Sequence, residues 1–129
     1  MLLNTLEVVD RYAREVKRRD LDEDWETWLK VKAALELAAQ CAIDAALELI
    51  SKRDLGVPQT YRDVFAVLAN AKIIDSQLLE ELRAWAGMRN VLVHMYTELD
   101  LDRVHAALSR TAPLRAFHAI VAKALAEGA

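Results

Sequence analysis

An all-α protein, folded as a five-helix bundle, is what the sequence predicts, and three observations carry that reading. Apolar residues make up 54% of the 129 positions, enough to build a core and to argue against wholesale disorder. Only 3 Gly and 2 Pro punctuate a chain that holds 22 Ala and 20 Leu. The turns of a sandwich or barrel need more breakers, whereas Ala and Leu favour helix. The apolar residues also recur every three or four positions, the period of a helix with one buried side. The length suits a single compact domain over residues 1–129.

Each helix has its own signal. Leu2, Leu6, Val9, Ala13 and Val16 form one stripe and predict a helix over residues 2–18. The acidic stretch Asp20–Asp24 reads as a connection. Trp28, Val31, Leu35, Ala38, Ala42, Ala45 and Leu49 continue the period through about 25 residues to Ser51. The alanines let neighbouring helices approach closely, which places this second helix at the centre of the bundle. Lys52–Gln59 contains Asp54, Gly56 and Pro58 and reads as a loop.

Thr60 is placed to cap a third helix, with Asp63 favourable in its first turn and Tyr61, Val64, Phe65 and Leu68 as its buried stripe, stopping near Asn70. Asp75 or Ser76 caps a fourth helix, which carries Leu78, Leu79, Leu82, Trp85 and Ala86. Asp100 caps the fifth, with Leu101, Val104 and Leu108. Pro113 lies within that pattern and predicts a kink or a fresh start, beyond which Phe117, Ile120, Val121 and Leu125 continue it.

Composition narrows the function classes. Cys41 is the one cysteine, which excludes a disulfide framework and a cysteine-rich metal site. No apolar run reaches the roughly 18–20 residues of a membrane span, and the N-terminus has no cleavable signal, so a soluble cytoplasmic protein is expected. The net charge of −3 gives no global sign of nucleic-acid binding. Charge is unevenly spread, however. Arg11–Arg19 holds five basic residues and Asp20–Glu26 five acids, which reads as a charged helix end followed by an acidic turn. Arg83–His118 holds five Arg against three acids, together with all three His, and is where a polyanion would be met.

Two places could carry chemistry. Gln40 and Asp44 lie one turn apart on the Ala-rich helix, among apolar neighbours, and a buried carboxylate is expensive without a partner. A structural hydrogen bond to another helix or to a dimer mate accounts for them; positioning an active site is the alternative. The segment Trp85–Tyr96 is the richer one. Gly87 in a helix interior costs about 1 kcal/mol relative to Ala, which suggests close packing or a bend. Asn90 and His94 fall within about 40° of each other around a helix, while Arg89 and His94 diverge by about 140°. A bent helix, or two copies meeting across a symmetry axis, would bring that last pair together. A lone histidine on an apolar helix is more often a hydrogen-bonded core residue. Together, though, imidazole, guanidinium, amide and the Tyr96 phenol suit a phosphodiester: histidine shuttles protons near neutral pH, and arginine holds a phosphate and offsets its developing charge. His105 and His118 read as surface or interhelix residues, and Tyr12 and Tyr61 as packing residues with polar tips.

Arg89-Asn-Val-Leu-Val-His94-Met-Tyr96 resembles the Arg-x4-His-x-Tyr signature of the HepT-like toxins, within the HEPN superfamily of helical ribonucleases. The resemblance extends upstream through Gln40-Cys-Ala-Ile-Asp44, Tyr61-Arg-Asp-Val-Phe-Ala-Val-Leu68 and Ile74-Asp75, and downstream to Asp100, covering about residues 30–105. Met88 stands where the family usually has Phe, and Asn70-Ala71-Lys72 lacks a glycine common there; both read as packing changes. The Pro113 region is less family-like.

The resemblance implies a homodimer whose two motif copies face one cleft, which answers the 140° divergence. It implies metal-independent RNA cleavage without a cofactor, in which the ribose 2′-hydroxyl attacks the adjacent phosphorus. His94 would transfer protons, Arg89 would hold the phosphate and Asn90 would orient the site. It also implies a partner, a minimal nucleotidyltransferase antitoxin of the MntA type, which transfers AMP to Tyr96. Added phosphodiesters would put negative charge beside Arg89 and His94, where substrate phosphate binds. The competing reading is a HEPN module without nuclease activity that docks a nucleotidyltransferase and helps present its substrate.

Overall fold

A computed structural model describes residues 1–60, 63–94 and 100–127. Among the described residues it contains no strand and seven helices: α1 (Leu2–Glu15), α2 (Asp20–Glu23), α3 (Trp25–Lys52), α4 (Asp63–Asn70), α5 (Ser76–His94), α6 (Leu101–Ala107) and α7 (Ala112–Glu127). The expected all-α class holds, but the expected count of five does not, for two local reasons. The predicted fifth helix is two helices. Proline lacks an N–H and is tolerated in a helix only in the first turn, and α7 begins at Ala112 so that Pro113 falls there. The second reason is that the acidic connection coils into the short turn α2. Its Asp20 carboxylate accepts from the Lys17 N–H at 2.8 Å, while Leu21 is buried in the core.

α1 stops at Glu15, three residues short of the predicted end, because Val16 turns extended (φ −91°, ψ 123°). The Val16 carbonyl, released from the helix, accepts from His105 Nε2 at 2.8 Å. His105 is therefore an interhelix residue, tying α6 to the end of α1. The predicted N-caps are in place. Thr60 Oγ1 accepts from the Asp63 N–H, Asp75 rather than Ser76 accepts from the Leu78 N–H, and Asp100 accepts from the N–H groups of Asp102 and Arg103.

Two helices end with a non-glycine residue in the left-handed region, Asp54 after α3 (φ 53°) and Lys72 after α4 (φ 63°). In each case the next residue closes the turn: the Leu55 N–H donates to the Ile50 carbonyl, and the Ile73 N–H to the Leu68 carbonyl. Leu55 and Ile73 then pack against the core, as the apolar residue after such a cap commonly does. The missing glycine at Asn70-Ala71-Lys72 is thus a matter of backbone conformation rather than of packing: Lys72 adopts a geometry that glycine would adopt without steric cost.

α3 is the centre of the molecule. It packs against α1, α2, α4, α5 and α7. Ala38, Ala39, Ala42 and Ala46 are buried along it, with Trp28, Val31, Leu35, Ile43 and Leu49 filling the space between helices. Phe65 of α4 and Phe117 of α7 meet edge to face, ring centroids 5.5 Å apart, joining the middle of the chain to its last helix in one core. Among the described residues no helix is long and apolar enough to cross a membrane.

One polar tie links α1 to the start of α7. Asp10 accepts from the buried Thr111 hydroxyl at 2.7 Å and pairs with Arg115. Burial works against the Asp10 carboxylate, but the hydrogen bonds from Thr111 and Arg115 and the charges of Arg115 and Arg14 outweigh it and hold its pKa below the ordinary 3.8. A depressed folded-state pKa stabilises the fold above that value and loses its contribution as pH falls through the folded pKa. Asp10→Ala is expected to cost about 1–2 kcal/mol at about pH 7, since Thr111 is left without its acceptor. The gap to the parent protein should narrow below pH 3.8, as urea titrations across the acid range will measure.

Candidate functional site

α5 starts under the Asp75 cap and runs without interruption to His94. Leu82, Trp85, Ala86 and Leu92 are buried and hold its inner side against the bundle. Trp85 adds a polar anchor, its indole N–H donating to the Arg110 carbonyl at 3.1 Å in the break before α7. Arg89, Asn90 and His94 all lie beyond that anchor, on the last part of a well-held helix.

The inner side of α5 faces α3, and Arg89 follows it. Its side chain is half-buried, and Nε donates to the Gln40 Oε1 of α3 at 3.0 Å. Nη1 donates to Asn90 Oδ1 at 3.3 Å. Gln40 Nε2 in turn donates to Asp44 Oδ1 at 2.9 Å. The expectation of a buried, costly carboxylate at Asp44 is corrected: Asp44 is exposed, and Gln40 of its own helix is its partner. Of the two readings of the Gln40/Asp44 pair, the structure gives the interhelix hydrogen bond, from Arg89 of α5 to Gln40 of α3. From sequence alone, its visible signal is a polar i,i+4 pair on an otherwise apolar helix; that the acceptor turns toward Arg89 depends on how α3 and α5 pack.

His94 is exposed at the last described position of α5. Asn90, half-buried, lines an open depression of about 320 Å³ together with Leu47, Pro58, Gln59, Thr60 and Val64. Of the two readings of Gly87, close packing or a bend, the described residues do not give close packing. A Cβ built there meets nothing within 4 Å, so among the described residues no close packing explains it. It precedes Asn90 by three residues and His94 by seven, on the same side of the helix, and that side is open.

The structure therefore brings Arg89, Asn90, Gln40 and Asp44 together and leaves His94 on the open end of the same helix. Tyr96 and Tyr61 lie outside the described residues. His118 is half-buried on α7, and Tyr12 packs against the core. Among the described residues no three His, Cys, Asp or Glu side chains cluster as a metal-ion set. Burial, with a contribution from Asp44, pushes the Cys41 thiol above its ordinary pKa, away from the reactive thiolate.

Comparison with known proteins gives consistent matches. The family model described as ribonuclease HepT-like matches residues 2–121. The mRNA nuclease HepT of Shewanella oneidensis is 28% identical over 109 residues, covering 81% of this chain and 82% of the relative. The tRNA nuclease HepT of Aphanizomenon flos-aquae is 31% identical over 110 residues, covering 81% of this chain and 75% of the relative. A solved structure of a tri-AMPylated Shewanella oneidensis HEPN toxin in complex with its MNT antitoxin superposes with a TM-score of 0.76. It is 26% identical and covers 98% of this chain and 94% of that one.

The open space at Gly87 makes a direct prediction. Gly87→Ala is expected to stabilise the isolated chain by about 0.5–1 kcal/mol, through lower unfolded-state entropy and better helix propensity, read as a raised thermal midpoint. A lowered midpoint would mean that something other than the described residues already fills that space.

Proposed function

The chain belongs to the ribonuclease HepT-like family, and on that footing we propose that it is an RNA endonuclease, the toxin of a toxin–antitoxin pair. One observation carries the reading: within a family match over residues 2–121, the last two turns of α5 carry Arg89 and Asn90, hydrogen-bonded to each other, and an exposed His94. The two relatives named as nucleases of mRNA and of tRNA support RNA as the substrate class.

The proposed reaction uses only the chain's own groups. His94 takes the proton from a ribose 2′-hydroxyl. The 2′ oxygen forms a bond to the adjacent phosphorus while the bond from phosphorus to the 5′ oxygen breaks. That oxygen takes up the proton held by the His94 imidazolium, directly or through water, giving a 2′,3′-cyclic phosphate, a free 5′-hydroxyl and a neutral His94. Arg89 binds the phosphate and offsets the charge that builds on it, and Asn90, hydrogen-bonded to Arg89, orients the site from the edge of the depression. With proton transfer and charge compensation supplied by side chains, cleavage should proceed in chelator.

Homodimerisation belongs to the same proposal. Apolar side chains remain exposed along α3, at Trp25, Leu29, Leu37 and Leu47, and on α5 at Val91 and Val93 beside the site. A second copy that covered them would bring two sets of Arg89 and His94 to one cleft. We also place AMP transfer at Tyr96, two residues after His94, by a nucleotidyltransferase antitoxin. The tri-AMPylated toxin among the structural neighbours supports AMP transfer as the modification; the choice of Tyr96 rests on the sequence motif. Nucleotides joined there would set anionic phosphates where the substrate phosphate goes.

His94→Ala should lower RNA cleavage by roughly 100-fold or more, the scale of losing a general acid–base group, while the variant keeps its fold by circular dichroism and its oligomeric state by sedimentation. Unaltered cleavage would remove His94 from the chemistry, and a purified, unmodified parent that never cuts RNA would favour the docking module instead. Incubation with the antitoxin and ATP should add mass in AMP-sized steps to the parent and none to Tyr96→Phe; undiminished addition to that variant would put the acceptor elsewhere.

A further inference from the structure

Arg89 reaches its place through a relay that begins on the solvent side of α3. Asp44 presents a carboxylate oxygen, a hydrogen-bond acceptor, and the Gln40 amide N–H donates to it at 2.9 Å. That assignment turns the Gln40 carbonyl oxygen toward α5, where it receives the Arg89 Nε–H at 3.0 Å. Without the carboxylate the amide could sit either way round, and one of the two orientations would point N–H at N–H.

We infer that Gln40 is the positioning residue for the Arg89 guanidinium, and that Asp44 acts through it by fixing the orientation of the Gln40 amide. The chemistry favours an amide at this point. An amide carbonyl holds Nε without cancelling the positive charge, whereas a carboxylate in its place would form a tight ion pair and compete with a phosphate for the same cation. The relay keeps its negative charge one side chain further away, on Asp44, at the exposed surface of α3. Nε is held by Gln40 of α3 and Nη1 by Asn90 of α5, so contacts from both helices orient the plane of the guanidinium. A planar fork meets a phosphate only in a narrow range of orientations, so setting the plane is setting the site.

This inference rests on the nuclease reading for its kinetic consequence but not for its geometry, and the experiment reads the two separately. Parent, Gln40→Leu, Asp44→Leu, Asp44→Asn and the Gln40→Leu/Asp44→Leu double variant are purified without antitoxin and assayed on a single-stranded RNA oligonucleotide. Their Arg89 Nε–H signal is followed by nitrogen-15 NMR. Gln40→Leu is expected to lower kcat on the order of ten- to a hundred-fold with little change in KM, the signature of a misaligned transition-state contact. Asp44→Leu should fall in the same direction; Asp44→Asn, which keeps an acceptor, should retain most of the activity. The double variant should be no worse than Gln40→Leu alone, because Asp44 has nothing left to act through. In both Leu variants the Nε–H signal should shift and exchange faster with water.

Additive losses in the double variant, or a Gln40→Leu protein with parental kcat and an unmoved Nε–H signal, would overturn the inference. Asp44 is exposed, so its replacement tests the relay even if Gln40→Leu disturbs packing. If the parent cuts no RNA the nuclease reading fails, and the Nε–H signal still decides whether the relay exists.

Discussion

The close approach of helices to an alanine-lined α3 is the constraint on which the rest of the structure depends. Ala38, Ala39, Ala42 and Ala46 leave little between the α3 backbone and its neighbours, so five other helices can share a 28-residue axis and bury apolar surface against it. The same closeness makes the site. A guanidinium on α5 reaches a side-chain carbonyl on α3 at 3.0 Å because the two helices pack directly, without a layer of large side chains separating them.

Around that axis, polar groups act mainly at the ends of helices. The Trp85 indole and the His105 ring donate to carbonyls outside their own helices, and Arg53 Nη2 donates to the Ala124 carbonyl at 3.0 Å, joining the end of α3 to the end of α7. These contacts satisfy backbone groups that helix ends leave over. The exposed ion pairs differ. Arg18 bridges Asp22 and Asp102 in water, where such pairs contribute little, so the basic-to-acidic switch near residue 19 serves local geometry more than stability. For α5 the outcome is a helix anchored at Asp75, Leu82, Trp85 and Leu92, with Arg89 and Asn90 between the last two of these and His94 beyond them.

Net charge and local chemistry point in different directions, and the structure explains why. A chain with net charge −3 has no long-range field to gather RNA. In the proposed site, attraction for a phosphate acts at close range, through Arg89 and His94. Phosphates added two residues from His94 would compete for those same cations, which is the physical sense of the proposed modification.

Helix positions and several of their ends were legible in the sequence, because amphipathic period and capping are local: the buried stripe of α3, the Thr60 and Asp100 caps and the Pro113 boundary all depend on residues within a turn of one another. The motif on α5 was legible too, since Arg89, Asn90 and His94 lie within six positions. The turn at α2 escaped it, because four residues form a helix there only when Leu21 has a core to enter. The left-handed Lys72 escaped it, because a lysine does not advertise that conformation. Above all, the sequence could set Gln40 beside Asp44 but could not say that Gln40 faces Arg89, 49 residues away. That contact is set by how α3 and α5 rotate and slide as their apolar faces pack, a sum over many side chains that no single stretch of the chain contains.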